Sequence, residues 1–128
     1  MFLCCGLYVQ YNKIKTIVVI QTTSSIKIHV NSFDRVIYMY SPTEKGKNLI
    51  TSVNGVNREV DDVVKDVFNY ALNNNMIDKT SKTLVTINGD GIKYGSLVKT
   101  NEFIKENEIP ITINNAGNEH KLPALDDK

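Results

Sequence analysis

The sequence predicts an α+β fold: a two-layer sandwich in which a small, mostly antiparallel sheet is covered by helices, in the order β-β-α-α-β-α-β. Three observations predict it. Two β-type runs, Ile17–Val30 and Arg35–Tyr40, adjoin through Asn31-Ser32-Phe33-Asp34, a junction of turn-prone side chains that hydrogen-bond their own backbone. A stretch of helical periodicity runs from Val60 to Leu72. Two later short β-type runs, Thr83–Ile87 and Ile109–Ile113, flank a second helical stretch. Strands and helices in such groups fit helices packed on one face of a small sheet.

Within the first run, Ile26, Ile28 and Val30 alternate with Lys27 and His29, the period of two expected of a strand with one buried face. Val36 to Tyr40 continues in β-branched and aromatic residues. Ser41-Pro42-Thr43-Glu44 then predicts a helix start, with Ser41 as the cap, Pro42 in the first turn and Glu44 closing a capping box. That short helix is weakened by Gly46 and ended by Asn54-Gly55. From near Asn57, the residues Val60, Val63, Val64, Val67, Phe68, Ala71 and Leu72 fall on one face of an amphipathic helix. Glu59, Asp61 and Asp62 sit at its start, where negative charge suits the helix dipole. Its many valines are poor helix formers, so packing must hold it.

Thr83–Ile87 ends at the turn signal Asn88-Gly89-Asp90-Gly91. A weaker helix is expected from about Lys93 to Asn107, with Tyr94, Leu97, Val98 and Ile104 on one face. Ile109, Ile111 and Ile113 alternate as a strand, and Pro110 suggests an edge. From Asn114 the composition turns polar and aperiodic, which reads as a loose tail.

A chain of 128 residues is one domain by size and needs no disulfide or metal staple. Its 15 basic and 14 acidic residues leave no electrostatic footprint for nucleic acid or an anionic membrane. Cys4 and Cys5 are adjacent, which suits neither a disulfide nor a zinc site. Met1–Val9 is apolar, but Gln10, Asn12, Lys13 and Lys15 interrupt it well short of the roughly 20 apolar residues of a spanning helix. Nor does it match a signal peptide, so as written the chain carries no export route.

Chemistry is sparse. His29 and His120 are surface histidines without a ligand cluster, and no metal or cofactor is expected. Asn88–Gly91 lacks the Gly-Lys-Ser/Thr of a phosphate loop and the acidic ligands of a calcium loop. Asp61, Asp62 and Asp66 read as a solvated helix face, and Asp34-Arg35 as a local ion pair worth about 0–1 kcal/mol. The unusual stretch is Thr22-Thr23-Ser24-Ser25. Its bland reading is a bulge, bend or edge between two short strand pieces; its sharper one is self-cleavage, with a hydroxyl attacking its own backbone carbonyl.

The run from Ser25 to Ile37 (Ser-Ile-Lys-Ile-His-Val-Asn-Ser-Phe-Asp-Arg-Val-Ile), followed by Glu44-Lys45-Gly46-Lys47-Asn48-Leu49-Ile50, resembles the extracytoplasmic middle domain of RsgI-type anti-sigma factors. There a Ser-Ile-Glu-Leu-x-Val-Asn strand leads into Asp-Arg-Val-Ile and then Asn-Glu-Asp-Gly-Lys-Lys-Leu-Leu. The likeness continues through Val60-Asp61-Asp62-Val63-Val64, Asn75-Met76-Ile77 and Leu84-Val85-Thr86-Ile87, covering roughly Val19 to Ile87 in order and spacing.

What the resemblance implies is a non-enzymatic, membrane-linked regulator outside the cell membrane. Its sigma-factor partner would be held by a segment absent from this chain, without nucleic-acid contact and with the membrane reached by a tether alone. Such domains break their own chain at an Asn-Pro bond in the first strand, the pieces staying together through the sheet in preparation for regulated intramembrane proteolysis. Here Thr23 and Ser24 occupy the counterpart of the Asn-Pro pair, and Gln21 stands where Asp is usual. An uncut chain is therefore expected, with Ile26, Ile28 and Val30 anchoring the strand. The implied organisation is a membrane-proximal or leader remnant over 1–16, the middle domain over 17–114 and a flexible tail or linker over 115–128. Two alternatives are a self-processing domain that cuts at Thr23-Ser24 with Ser24 as nucleophile, and a freestanding interaction module.

Overall fold

A computed structural model describes residues 13–77, 80, 83–89, 97–115 and 118–119. Within them the elements follow as β1 (Thr16–Gln21), β2 (Ser25–Val30), β3 (Val36–Tyr40), α1 (Glu44–Val53), α2 (Val60–Asn73), β4 (Thr83–Gly89), α3 (Val98–Glu106), β5 (Ile111–Asn115) and β6 (Asn118–Glu119). The strands form one mixed sheet in the order β3-β2-β1-β4-β5-β6. All pairings are antiparallel except β4 with β5, the pair that α3 connects, as a parallel pair requires a crossover. The fold is α+β, with α1, α2 and α3 on one face of the sheet.

The run Ile17–Val30 resolves into two strands. Residues 22–24 turn the chain back on itself, so β1 pairs with β2 from Thr16↔Val30 to Gln21↔Ser25. The other edge of β1 pairs with β4, from Thr16↔Gly89 to Gln21↔Leu84. β1 is therefore hydrogen-bonded on both sides along its whole length.

The core lies between sheet and helices. The sheet supplies Val18, Ile20, Ile26, Ile28, Val30, Val36, Met39, Val85 and Ile87. Strict alternation would place Val36 and Met39 on opposite faces, since they are an odd number of residues apart. A register shift opposite His29/Val30 leaves Ile37 without a partner, and this bulge returns Met39 to the core face. From α2, Val60, Val63, Val64, Val67, Phe68 and Ala71 are all buried, while Leu72 at the end of the same stripe is half-buried.

Several boundaries differ from the sequence expectation for identifiable reasons. Thr43, not Ser41, caps α1: its Oγ1 accepts the Gly46 N–H at 3.0 Å. Ser41 is instead buried under Gly46, where a methyl group would overlap the Ser41 side chain. Gly46 is thus a packing requirement. Asn54 closes α1 in the left-handed region at φ 50, its N–H donating to Ile50 O. The last expected strand runs past Ile113, because β5 extends through Asn115 and pairs with β4 and β6 through backbone groups that any side chain supplies. Pro110 precedes β5 and its carbonyl accepts the Thr83 N–H. Met1–Val9, Cys4, Cys5, Asp90, Gly91, Lys93, Tyr94, His120 and the residues beyond lie outside the described residues.

Candidate functional site

The β1–β2 turn is where the sequence concentrates its unusual chemistry. Three hydroxyl residues fold over one another: the Thr22 N–H donates to Ser24 O at 3.0 Å, and the Ser24 N–H reaches Thr22 Oγ1 at 3.3 Å. The turn is fixed from two sides. The Thr23 N–H donates to Met76 O at 3.2 Å, just beyond α2. Thr43 Oγ1, at the start of α1, donates to Ser24 Oγ at 2.9 Å. Thr23 is exposed, whereas Ser24 is only 6% exposed. The two residues singled out in sequence therefore adjoin in one turn, one facing solvent and one tied to a helix cap.

This arrangement bears on nucleophilic chemistry. A serine hydroxyl attacks only when a neighbouring group takes its proton. Thr43 Oγ1 accepts a helix N–H and donates its own proton towards Ser24, so it acts as a donor there and is far too weak a base to activate a hydroxyl. His29 pairs with Ile17, at the opposite end of β1 from Gln21 and the turn. Its ring packs against Tyr38, centroids 5.1 Å apart and tilted by 58°. Burial, and secondarily the Lys27 charge, pushes the His29 pKa below its ordinary 6.5.

Ile26, Ile28 and Val30 project from β2 into the core, at 1%, 0% and 0% exposure. They do not touch the turn chemistry; they lie in the strand that follows it.

The acidic residues of α2 correct one sequence reading. Asp62 and Asp66 are half-buried and form ion pairs, with Lys99 at 2.8 Å and Arg58 at 2.6 Å. The Lys99 hydrogen bond holds the Asp62 carboxyl below its usual range. Asp61, however, is buried. Its carboxylate accepts the Lys99 N–H and the Thr100 N–H, both at 2.9 Å, and the Thr100 Oγ1–H at 2.8 Å. Asp61 thus caps α3 from another helix, satisfying donors that Leu97, the local cap residue, leaves open. Nothing in the local sequence signals a bond across 38 residues. Asp34 and Arg35 do not pair with each other: Asp34 faces Lys15 and Arg35 faces Glu59, each at 3.9 Å.

Among the described residues, no group of three His, Cys, Asp or Glu side chains is placed to hold a metal ion, and no helix is long and apolar enough to cross a membrane. A shallow groove between α1 and α2, lined by Ser52, Asp66, Asn69, Tyr70 and Asn73 among others, holds no convergent acid–base pair.

The strand–turn–strand blocks that carry the family likeness thus fold as consecutive, paired elements. No curated protein matches the chain. The family model described as anti-sigma factor RsgI-like central domain matches residues 15–126, from the residue before β1 to beyond β6. With nearly the whole chain so matched, the protein belongs to the anti-sigma factor RsgI-like central domain family, a regulatory family.

Proposed function

We propose that the chain is a non-enzymatic signal-transduction domain of an RsgI-like anti-sigma factor, held outside the cell membrane by a tether and acting as one uncut chain. Sigma-factor binding belongs to another segment of such a regulator. The role of this domain is mechanical: it holds β1, and whatever β1 is connected to, until proteolysis releases it.

The observation that carries this reading is the pairing of β1 on both edges, ending at the Thr22–Ser24 turn. Force or proteolysis applied on the N-terminal side meets six residues of two-sided hydrogen bonding and the buried side chains Val18 and Ile20. On the far side of the turn, Ile26, Ile28 and Val30 anchor β2 in the same core. Thr23 and Ser24 are the counterpart of a cleavage point, with its chemistry removed. The Asn-Pro pair is replaced, and Ser24 Oγ takes a hydrogen bond from a hydroxyl donor.

Two measurements test the proposal. Intact mass after prolonged incubation is expected to equal the full chain; a pair of fragments meeting at Thr23-Ser24 would favour self-processing instead. Fractionation of the native cells is expected to find the protein with the membrane and open to protease added outside. Recovery in the cytoplasm would overturn the membrane-linked role.

A further inference from the structure

The large apolar side chains left exposed are unevenly distributed. Of the seven among the described residues, Ile14, Phe33, Val56 and Val98, at 46%, 50%, 47% and 50% exposure, lie at one end of the fold, while Tyr38, Tyr40 and Leu84 lie along β3 and β4. Ile14 immediately precedes β1. Phe33 is in the β2–β3 turn next to it, since the Lys15 N–H donates to Val30 O and Lys15 faces Asp34. Val56 lies in the α1–α2 connection, which is bonded to the start of β3 through Asn57 N–H to Val36 O and Val36 N–H to Arg58 O. The first helical N–H of α2, that of Val60, donates to Asp34 O. The first turn of α2 in turn holds the first turn of α3, where Val98 sits, through Asp61 and Asp62.

Four ion pairs lie among these side chains, and Lys13, exposed beside Ile14, adds a positive charge outside those pairs. Lys15 faces Asp34, Arg35 faces Glu59, Lys99 binds Asp62 and Arg58 binds Asp66. An end with apolar points set among neutralised ion pairs is a poor match for a charged partner and a good one for a zwitterionic interface. The chain outside the described residues narrows the choice further. Met1–Val9 contains no charged side chain. Val9 is five residues from Ile14, so even fully extended it stays within about 18 Å of this end. An apolar phase that takes up Met1–Val9 must therefore lie close to Ile14, Phe33, Val56 and Val98.

We propose that this end of the domain seats in the interface of a lipid bilayer, with those four side chains as its contacts. The inference rests on the membrane-linked reading above and adds to it a fixed orientation, with β1 entering from the membrane side. Because the four ion pairs leave little net charge at the rim, phosphatidylcholine alone is a sufficient surface.

The protein contains no tryptophan, so single substitutions give clean reporters. The full chain carrying Phe33→Trp, Val56→Trp or Val98→Trp is mixed with phosphatidylcholine vesicles, with and without brominated acyl chains, and flotation is followed in parallel. Tyr40→Trp serves as the control, because Tyr40 is also exposed (45%) but lies at the opposite end of β3 from Asp34 and Val36. The expected result is flotation, with emission from positions 33, 56 and 98 shifted to the blue and quenched by bromine while position 40 is unchanged. If the chain floats but the three positions are quenched no more than position 40, Met1–Val9 alone makes the contact. That result overturns the seated end and leaves the membrane-linked reading standing. If the chain does not float, this end is not a lipid contact, and a protein surface takes its place.

Discussion

Removing the Asp61 carboxylate should cost more stability than any other single polar change in the helical layer. Asp61→Ala strips two helix N–H groups, on Lys99 and Thr100, of their acceptor, and the Thr100 hydroxyl of one of its two. A lost helix cap costs about 0.5–2 kcal/mol, and a buried donor left unpaired about 1–3 kcal/mol. The bond to Thr100 is buried and the one to Lys99 partly so, which puts the sum near the upper end, at about 3 kcal/mol. For a domain of this size, that corresponds to a fall in Tm of roughly 10 °C. Asp61→Asn keeps one acceptor oxygen and loses the charge facing the positive end of α3, so its cost should be smaller, about 1 kcal/mol. Urea denaturation followed by circular dichroism measures both. Asp61→Ala within about 0.5 kcal/mol of the parent, inside the usual range of surface substitutions, would refute the tertiary cap. So would an Asn variant as damaging as the Ala variant.

Two further predictions concern the strand β2. Ile28→Asp places a carboxylate at a fully buried core position, costing more than about 4 kcal/mol and unfolding the domain; an unchanged thermal transition would mean that the core face has been misassigned. His29 is held below its ordinary pKa of 6.5 by burial and by Lys27. Below 6.5 the unfolded chain binds a proton before the folded one does, so the stabilisation is complete above 6.5 and is lost as pH falls from there through the folded value. The denaturation midpoint should decline between pH 7 and pH 5, and His29→Gln should flatten that slope; equal slopes in parent and variant would contradict it.

Much of the architecture can be read from local pattern. Ile26, Ile28 and Val30 alternate cleanly because one face of β2 is buried. The α2 stripe announces itself because six of its seven apolar positions face the core. Asn54 ends α1 because Asn tolerates positive φ. Where local pattern misleads, the cause is tertiary. The turn at Thr22–Ser24 contains neither Gly nor Pro, so the sequence marks only a bulge, bend or edge between two strand pieces and does not show that the chain folds back on itself there. What bends it there is the contact of Ser24 with Thr43 and of Thr23 with Met76. Ser41-Pro42 looks like a helix start, but Ser41 is taken up by packing against Gly46, which passes the cap to Thr43. Asp61 looks like a solvated carboxylate because its three donors lie on another helix. The bulge at Ile37 is equally silent in a run of β-formers.

The candidate site divides the same way. The position of Thr23 and Ser24 relative to the family blocks is legible in sequence, as is the absence of Asn-Pro. Their surroundings are not: only the fold shows that Ser24, the last residue of the turn, is buried against a helix cap, and that the strand before the turn is paired on both edges.

The central claim is that β1 is held by the sheet and not by its covalent connection to β2. It is tested most directly by cutting the chain at the turn. A protease recognition sequence placed between Thr23 and Ser24, where Thr23 is exposed, allows the native protein to be nicked and passed over gel filtration. Val18 and Ile20 are almost fully buried and contribute about 1.5–3 kcal/mol each, in addition to the two-sided pairing. The prediction is that the N-terminal piece co-elutes with the remainder and the β-sheet signal is retained. Separation of the pieces, or loss of the folded signal on nicking, would contradict it.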